Sequence, residues 1–196
     1  MIRIAKPGDA RAVAPLIIQA MGELANKFSN TTDATKTLEL FEYFFSQKNN
    51  QYSYENTLVF EENSQILGSL NAYDGDKLIE LRKNFADYLR IHNNVEDFYS
   101  EEETEAGEFY LDTISVAPSA QGKGIGKQLI DAGIKWAKKK GHKKVGLLVE
   151  VENEKALRLY QSKGFSIQNK KEFVGGLYFH MIIKLTEDSL KLIPKN

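Results

Sequence analysis

Three glycines at alternate positions, Gly122, Gly124 and Gly126, stand between an apolar stretch and an amphipathic one. Glycine has no Cβ, so its backbone can approach a ligand closely and can adopt left-handed conformations. A helix that starts here would add unpaired N–H groups and the positive end of its dipole. The pattern therefore predicts a binding site for a phosphate or pyrophosphate.

Two well-known phosphate loops do not match this spacing. A Walker A loop has Gly, four residues and then Gly-Lys-Ser/Thr, but Gly126-Lys127 is followed by Gln128 and position 121 is Gln. A dinucleotide fingerprint has Gly-x-Gly-x-x-Gly, and its third glycine would fall on Lys127. A different phosphate loop and a glycine-rich turn without a ligand are the interpretations that remain.

The loop lies within a predicted strand–helix–strand–helix unit. Residues 108–116 form the first strand, and residues 124–140 show the apolar spacing of a helix that ends at Gly141. Residues 145–151 are nearly all apolar, which is typical of a strand covered on both faces. A second helix is predicted over residues 153–163.

Further elements are predicted on both sides of this unit. Asp9 is placed as the N-cap of a first helix, and the aromatic side of a helix over residues 34–46 is predicted to pack in the core. The other predicted elements are strands over 57–61 and 65–73, a helix over 77–91, and strands over 165–171 and 177–185. The expected fold is α/β, with a mixed, mostly antiparallel sheet of about seven strands and helices on both faces.

The segment 121–126, Gln-Gly-Lys-Gly-Ile-Gly, resembles the Gln/Arg-x-x-Gly-x-Gly/Ala pyrophosphate loop of the GNAT superfamily of acyl-CoA-dependent N-acyltransferases. The residues after the loop agree with that family in order and spacing: Asn153, Ala156, Leu157, Tyr160, Gly164 and Phe165. The N-terminal residues 2–17 resemble the family's first strand and helix. The resemblance covers most of the chain and thins over residues 26–54 and 76–107.

This resemblance implies a central pair of parallel strands that splay apart, with a bulge in the first, and acetyl-CoA as cosubstrate. It implies that Ile114 and Val116 bond the pantetheine arm through their backbone, with Asn153 also contacting it. The implied pyrophosphate-binding residues are Gln121, Gly122, Lys123, Gly124, Gly126 and Lys127. The Val116 N–H would stabilise the charge on the attacked carbonyl oxygen, and Tyr160 would be the general acid.

Transfer to an amine also requires loss of a proton, because an alkyl amine with a pKa near about 10.4 is protonated at neutral pH. Strand periodicity puts Glu108, Tyr110, Asp112, Ile114 and Val116 on one face, so Glu108 and Asp112 are the candidate bases. Glu108 would act through water from the strand start, and Asp112 lies closer to the cofactor end. A chain of waters without a single base, as in many relatives, is a third alternative.

Residues 1–186 are predicted to form one domain, with a variable insert over 76–107 and a C-terminal tail over 187–196. The insert and the strand start carry an acidic run: Glu96, Asp97, Glu101, Glu102, Glu103, Glu105 and Glu108. The run could form an acceptor-site wall that attracts a cationic amine, or it could be a solvated loop. Tyr88, Phe98 and Tyr99 are candidate lining residues of the acceptor pocket.

Composition limits the remaining classes. The chain has 196 residues, a net charge of −1 and no cysteine, which indicates one sizeable core and excludes disulfides and thiol catalysis. Neither a nucleic-acid surface nor a membrane-spanning run is indicated. Because the first strand starts at Ile2, we expect no signal peptide and a cytoplasmic location.

The three histidines, His92, His142 and His180, show no metal-ligand spacing, so no metal site is predicted. The sequence leaves a homodimer open. The function predicted is an N-acetyltransferase that moves an acetyl group from acetyl-CoA to a primary amine of a small molecule or protein. The alternatives are a non-catalytic acyl-CoA sensor of the same fold, and a nucleotide-binding protein that uses the same loop.

Overall fold

The computed structural model describes residues 1–95 and 102–186. The strands are β1 Ile2–Ile4, β2 Thr57–Glu62, β3 Gln65–Asp74, β4 Phe109–Val116, β5 Lys144–Glu150, β6 Ser166–Phe173 and β7 Gly176–Lys184. The helices are α1 Ala10–Met21, α2 Glu23–Ser29, α3 Ala34–Ser46, α4 Leu78–His92, α5 Ile125–Lys139 and α6 Glu154–Ser162.

The strands form one seven-stranded sheet in the order β1-β2-β3-β4-β5-β7-β6. All neighbouring strands are antiparallel except β4 and β5, which are parallel and joined through α5. Such a parallel pair needs a crossover connection, which the helix supplies. The predicted mixed, mostly antiparallel sheet with a central parallel pair is confirmed.

Two hydrophobic cores cover the two faces of the sheet. On one face, α1 to α4 pack around the buried aromatic residues Phe41, Phe45 and Phe85. On the other face, α5 buries Leu129 and Ile130 against the central strands. The prediction that the aromatic side of α3 packs in the core is confirmed.

A β-bulge in β4 changes which of its side chains share a face. Asn71 of β3 pairs with Thr113, but the next residue, Ala72, pairs with Leu111, so that Asp112 is the extra residue. Ile114 and Val116 consequently pack against the α5 core, whereas Tyr110 packs with Tyr73 and Leu78 in a separate cluster. The prediction that Glu108, Tyr110, Asp112, Ile114 and Val116 share one face is therefore wrong, because an inserted residue reverses the alternation.

Two other local features differ from what the sequence indicated. Asp9 does precede α1, but its carboxylate makes no cap hydrogen bond to that helix. It accepts instead from the Lys6 N–H at 2.7 Å and pairs with Arg3, so the charge of Arg3 takes the side chain away from the helix end. The short helix α2 was not predicted at all. Among the described residues, no helix is long and apolar enough to cross a membrane.

Candidate functional site

The central feature of the site is a gap between β4 and β5. The two strands pair only at Phe109 with Val145 and at Tyr110 with Gly146, although β4 continues to Val116 and β5 to Glu150. Beyond Tyr110 the edges of both strands face each other without ladder pairing. This is the splayed arrangement that the family resemblance implies, and it leaves room for an extended ligand.

Two residues of β4 point their backbone N–H and C=O groups toward this gap. The Ala117 N–H donates to Leu67 O of β3 at 2.9 Å, and backbone polar groups alternate between the two sides of a strand. The N–H and C=O groups of Ile114 and Val116 therefore point away from β3. The Val116 carbonyl accepts from the side chains of Gln19 at 3.0 Å and Gln121 at 3.2 Å.

The glycine loop has the geometry of an open anion-binding cradle. Gly122 and Gly124 are left-handed, with φ of 80° and 78°, and a Cβ on either would meet no atom within 4 Å. Neither residue therefore packs against the protein, and the left-handed backbone explains why glycine stands there. At Gly126, whose φ is ordinary, a Cβ would lie 3.8 Å from Val116 Cγ2.

The N-terminus of α5 completes this cradle. Its N-cap residue is Gly124, and no side chain caps the first turn, so the first N–H groups face outward from the loop. Lys123 and Lys127 beside them are exposed. Open N–H groups, a positive dipole end and two ammonium groups fit a pyrophosphate, and thus the diphosphate of a CoA molecule.

Tyr160 is held by the way α6 ends. Gly164 is left-handed with φ of 90°, the Gly164 N–H donates to Gln161 O, and the Phe165 N–H donates to Tyr160 O. This is a Schellman ending, and it brings Phe165 against the Tyr160 ring, with centroids 6.0 Å apart. The sequence Gly-Phe after the helix thus fixes the tyrosine.

Burial raises the pKa of Tyr160 to about 12. A free phenol has a pKa near about 10, and a thiol one near about 8.5. Full proton transfer from Tyr160 to a thiolate is therefore more uphill than the free values indicate. The side chain is better suited to donating a strong hydrogen bond until the thiolate has left.

Asn153 has a local structural task. Its Oδ1 accepts from the Ala156 N–H at 3.1 Å and so caps α6. A cap of this kind is typically worth about 1 kcal/mol. The side-chain amide nitrogen is the part of Asn153 that remains for a ligand, so the contact with a cofactor arm implied by the resemblance stays a prediction.

Asp112 lies at the bulge, two residues beyond the last β4–β5 pair, and is half-buried. Its Oδ2 accepts from Gln51 Nε2 at 2.9 Å and lies 3.3 Å from Tyr73 Oη. Burial, followed by the negative charge of Glu103, raises its pKa from 3.8 to about 7. A carboxylate that exchanges its proton near neutral pH beside an open gap can act as a general base.

Glu108 is placed quite differently. The residue is fully buried, and its carboxylate accepts from the Glu105 N–H at 2.8 Å and lies 3.0 Å from His180 Nε2. A Cβ on Gly146 of β5 would collide with it. Because Glu108 is enclosed by the sheet and its partners, the geometry favours a structural task over the water-mediated base considered from the sequence.

His180 supports this structural interpretation. The fully buried ring stands between Glu108 and Glu105, whose Oε1 lies 3.2 Å from His180 Nδ1. It thereby ties the segment before β4 to the middle of β7. The sequence offered no reason to single out this histidine, since its partners lie more than 70 residues away along the chain.

Replacing Glu108 with Gln is expected to lower the free energy of unfolding by about 1–3 kcal/mol, because an amide then replaces the buried carboxylate that contacts His180 Nε2 and the Glu105 N–H. Urea unfolding at pH 7 measures this effect. Glu102→Gln, at an exposed position of the same segment, is the matched control and should change stability little. Equal stability of the two variants would show that the His180 contact contributes nothing.

The acidic run is only partly solvated where the structure describes it, since Glu102 is exposed. Glu103 and Glu108 are buried, and Glu103 forms an ion pair with Arg82 at 2.7 Å. The solvated-loop alternative is thus wrong for Glu103 and Glu108, because both side chains have internal partners. Tyr88 packs on Phe44 and Tyr43 of α3 rather than at the gap. Glu96, Asp97, Phe98, Tyr99 and Glu101 lie outside the described residues.

Three residues of the Asp112 surroundings were missed in the sequence: Gln51, Tyr73 and Arg82. Glu103 was named only as a member of the acidic run. One signal for Arg82 was present. It occupies the buried stripe of α4 together with Leu78, Phe85 and Leu89, and a charged residue on the apolar face of a helix requires a buried partner. No comparable signal marks Gln51, which lies in the turn between α3 and β2.

Known acetyltransferases resemble this chain in sequence and in structure. A mycothiol acetyltransferase of Renibacterium salmoninarum is 48% identical over 60 residues, which are 31% of this chain and 17% of that protein. The chain thus spans less than a fifth of that curated relative's length. A solved acetyltransferase structure superposes with a TM-score of 0.81 and 28% identity over 95% of this chain and 100% of the other.

A second solved structure, an N-acetyltransferase from Staphylococcus aureus Mu50, has a TM-score of 0.81 and 23% identity. The superposition covers 93% of this chain and 100% of the other chain, and it supports the fold. The model of the acetyltransferase (GNAT) family matches residues 19–165, a segment that contains the bulge, the glycine loop and Tyr160. This chain belongs to the GNAT acetyltransferase family.

Proposed function

We propose that this protein transfers an acetyl group from acetyl-CoA directly to a primary amine of a small molecule or protein. One observation carries the proposal: β4 borders the gap and leads into the open glycine cradle. The same strand carries Asp112, a carboxylate whose pKa is about 7. Phosphate binding and proton removal are the two tasks that this reaction demands of the protein. Family membership supports acetyl-CoA as the donor.

In this proposal the first chemical task belongs to Asp112. An ammonium group has no lone pair to attack a carbonyl carbon, so its proton must leave first. Ionised Asp112 takes that proton, directly or through one water. The opposite end of the gap binds the donor, with the loop N–H groups on the diphosphate and Ile114 and Val116 along the arm. Acetyl-CoA would supply the acetyl group as an activated thioester.

The second task is to stabilise charge while the bonds change. A C–N bond forms, the C–S bond breaks, and the electron pair of the C–S bond leaves with the sulfur. The Val116 N–H donates to the acetyl oxygen as negative charge develops there. The Tyr160 hydroxyl donates a hydrogen bond to the departing sulfur, and the second proton that the nitrogen loses as the amide forms passes through solvent to the thiolate. Asp112 finally releases its proton to solvent.

Replacing Tyr160 with Phe is expected to lower kcat about 10²-fold, because donation to the leaving sulfur is lost, while the Kd for acetyl-CoA changes little. The rate is measured from the release of the CoA thiol, and Tyr88→Phe on α4 is the control. Because the pKa of Tyr160 is raised to about 12, no fall in rate from its ionisation is expected up to pH 10. A sensor that does not turn over acyl-CoA would be unaffected by this change.

The test of the proposal is calorimetric titration with acetyl-CoA, with CoA, NAD and ATP in parallel. Binding of acetyl-CoA and CoA but not of NAD or ATP should be followed by thiol release with a panel of primary amines: a diamine, an aminosugar and a lysine peptide. Tighter binding of ATP or NAD would contradict the donor assignment. Binding without turnover of any amine would favour the sensor alternative.

A further inference from the structure

The surroundings of Asp112 contain a second carboxylate that shares its hydrogen-bond donors. Glu103 Oε1 accepts from Gln51 Nε2 at 3.0 Å and lies 3.2 Å from Tyr73 Oη. Asp112 Oδ2 lies within 3.3 Å of the same two atoms. Gln51 has two amide hydrogens and Tyr73 has one hydroxyl hydrogen. Two carboxylates therefore converge on three hydrogens inside a buried cluster.

The two carboxylates are not equivalent, because only one has a cationic partner. Arg82 Nη2 lies 2.7 Å from Glu103 Oε1, and both side chains are buried. This contact stabilises negative charge on Glu103. Asp112 has no such ion pair within the described part of the chain. When like charges lie close together and one is fixed by a cation, the other binds its proton more tightly.

The remaining titratable groups facing Asp112 do not alter this asymmetry. Tyr73 of β3 and Tyr110 of β4 have pKa values raised well above 10, first by burial and then by the two carboxylates. Both are neutral at physiological pH. The charged neighbours that act on Asp112 are therefore Glu103, from the segment before β4, and Arg82, from α4.

We propose that Glu103, held by Arg82, is the positioning residue that sets the proton affinity of Asp112 for the acetyl-transfer reaction. The inference rests on the proposed function, in which Asp112 removes the proton of the amine. An ordinary aspartate would be ionised but would hold that proton too weakly. Glu103, in its ion pair with Arg82, supplies a fixed negative charge close to Asp112. The two carboxylates are held together by the donors that they share, Gln51 and Tyr73. Glu103 itself does not touch substrate.

The proposal predicts opposite effects of two substitutions on the pKa of Asp112. Glu103→Gln removes the negative charge and should lower this pKa by about 1 unit or more. Tyr73→Phe removes a donor that favours the ionised form and should raise it. ¹³Cγ-labelled aspartate in the unliganded protein allows titration by NMR, with Asp112→Asn identifying the resonance. No acceptor or cofactor is needed for this measurement.

The same shift in the Asp112 pKa should appear in the kinetics with a primary amine that the panel identifies as an acceptor. With a pKa of about 7, about one-tenth of Asp112 is ionised at pH 6, whereas a pKa of about 6 leaves about one-half ionised. The Glu103→Gln enzyme should therefore retain about fivefold more of its own plateau kcat/KM at pH 6 than the wild type does. A purely structural residue would lower the plateau without moving the profile.

The outcomes are separable from those of the proposed function. An unchanged or raised Asp112 pKa in folded Glu103→Gln protein would overturn the inference even if Asp112 remains the base. A lowered pKa together with full activity of Asp112→Asn would uphold the coupling between the two carboxylates and refute the role of Asp112 in the reaction. If Glu103→Gln does not fold, Glu103→Asp draws the negative charge away from Asp112, and an Asp112 pKa that is not lowered in that variant would overturn the inference.

Discussion

Replacing Asp112 with Asn is expected to lower kcat by about 10²- to 10⁴-fold and to remove the fall in rate on the acidic side of pH 7. The amide keeps the shape of the side chain and can still accept from Gln51. It cannot take a proton from an ammonium group. The measurement is kcat/KM from pH 5 to 9 by thiol release, with acetyl-CoA at saturation.

The same substitution should affect stability in the opposite direction. Because burial and Glu103 raise the pKa of Asp112 from 3.8 to about 7, the folded protein binds this proton more tightly than the unfolded chain does. Stability is therefore lost as the pH rises through this interval and the buried carboxylate ionises. The Tm of Asp112→Asn minus the Tm of the wild type should therefore increase as the pH is raised from 5 to 8.

Glu108→Gln is the matched control for this carboxylate. Since Glu108 is enclosed and bonded to His180, its replacement should lower stability while kcat per folded molecule changes only a few-fold. The reverse result, with Glu108→Gln inactive and Asp112→Asn active, would assign the base to Glu108. Full activity of both variants would favour the chain of waters without a single base.

Replacing Gly124 with Leu is expected to raise the Kd for acetyl-CoA at least about tenfold. A side chain at this point would project into the open space of the cradle, where a Cβ meets no atom within 4 Å. Each lost hydrogen bond to a charged group is worth about 1.5–3 kcal/mol, and 1.4 kcal/mol corresponds to about tenfold in Kd. Isothermal calorimetry with acetyl-CoA and free CoA measures the change.

Backbone strain needs its own control, because Gly124 is left-handed with φ of 78°. Gly141, just past the end of α5, has a similar φ of 87° and equally open space around its Cβ position. Gly141→Leu should thus cost similar stability, on the order of 1–2 kcal/mol, and leave acetyl-CoA binding intact. Equal loss of binding in both variants would mean that strain, not the cradle, caused it.

Most of the fold could be predicted from sequence because its signals are local. Helical apolar spacing placed α3 and α5, and glycines at 141 and 164 placed the ends of α5 and α6. Gly141 is left-handed, and the N–H of the next residue, His142, donates to Ala137 O, as a glycine-terminated helix requires. Helix α2 was missed because seven residues carry too short a periodic pattern.

The site was predictable only in part. Backbone-mediated binding depends on glycine positions, so the cradle at Gly122 and Gly124 followed from spacing. The surroundings of the carboxylates did not. The bulge at Asp112 depends on how β4 pairs with β3, and strand alternation read from sequence gives no sign of an inserted residue. Arg82 gave a faint signal from its place on the apolar stripe of α4.

The sequence by itself determined the family, the order of all elements except α2, and the position of the glycine loop, since each depends on residues that are neighbours along the chain. Only the tertiary structure distinguished Asp112 from Glu108. Gln51 reaches Asp112 across 61 residues, and His180 reaches Glu108 across 72. A pKa depends on burial and on charges within a few ångströms, and those neighbours are assembled only when the sheet and α4 come together.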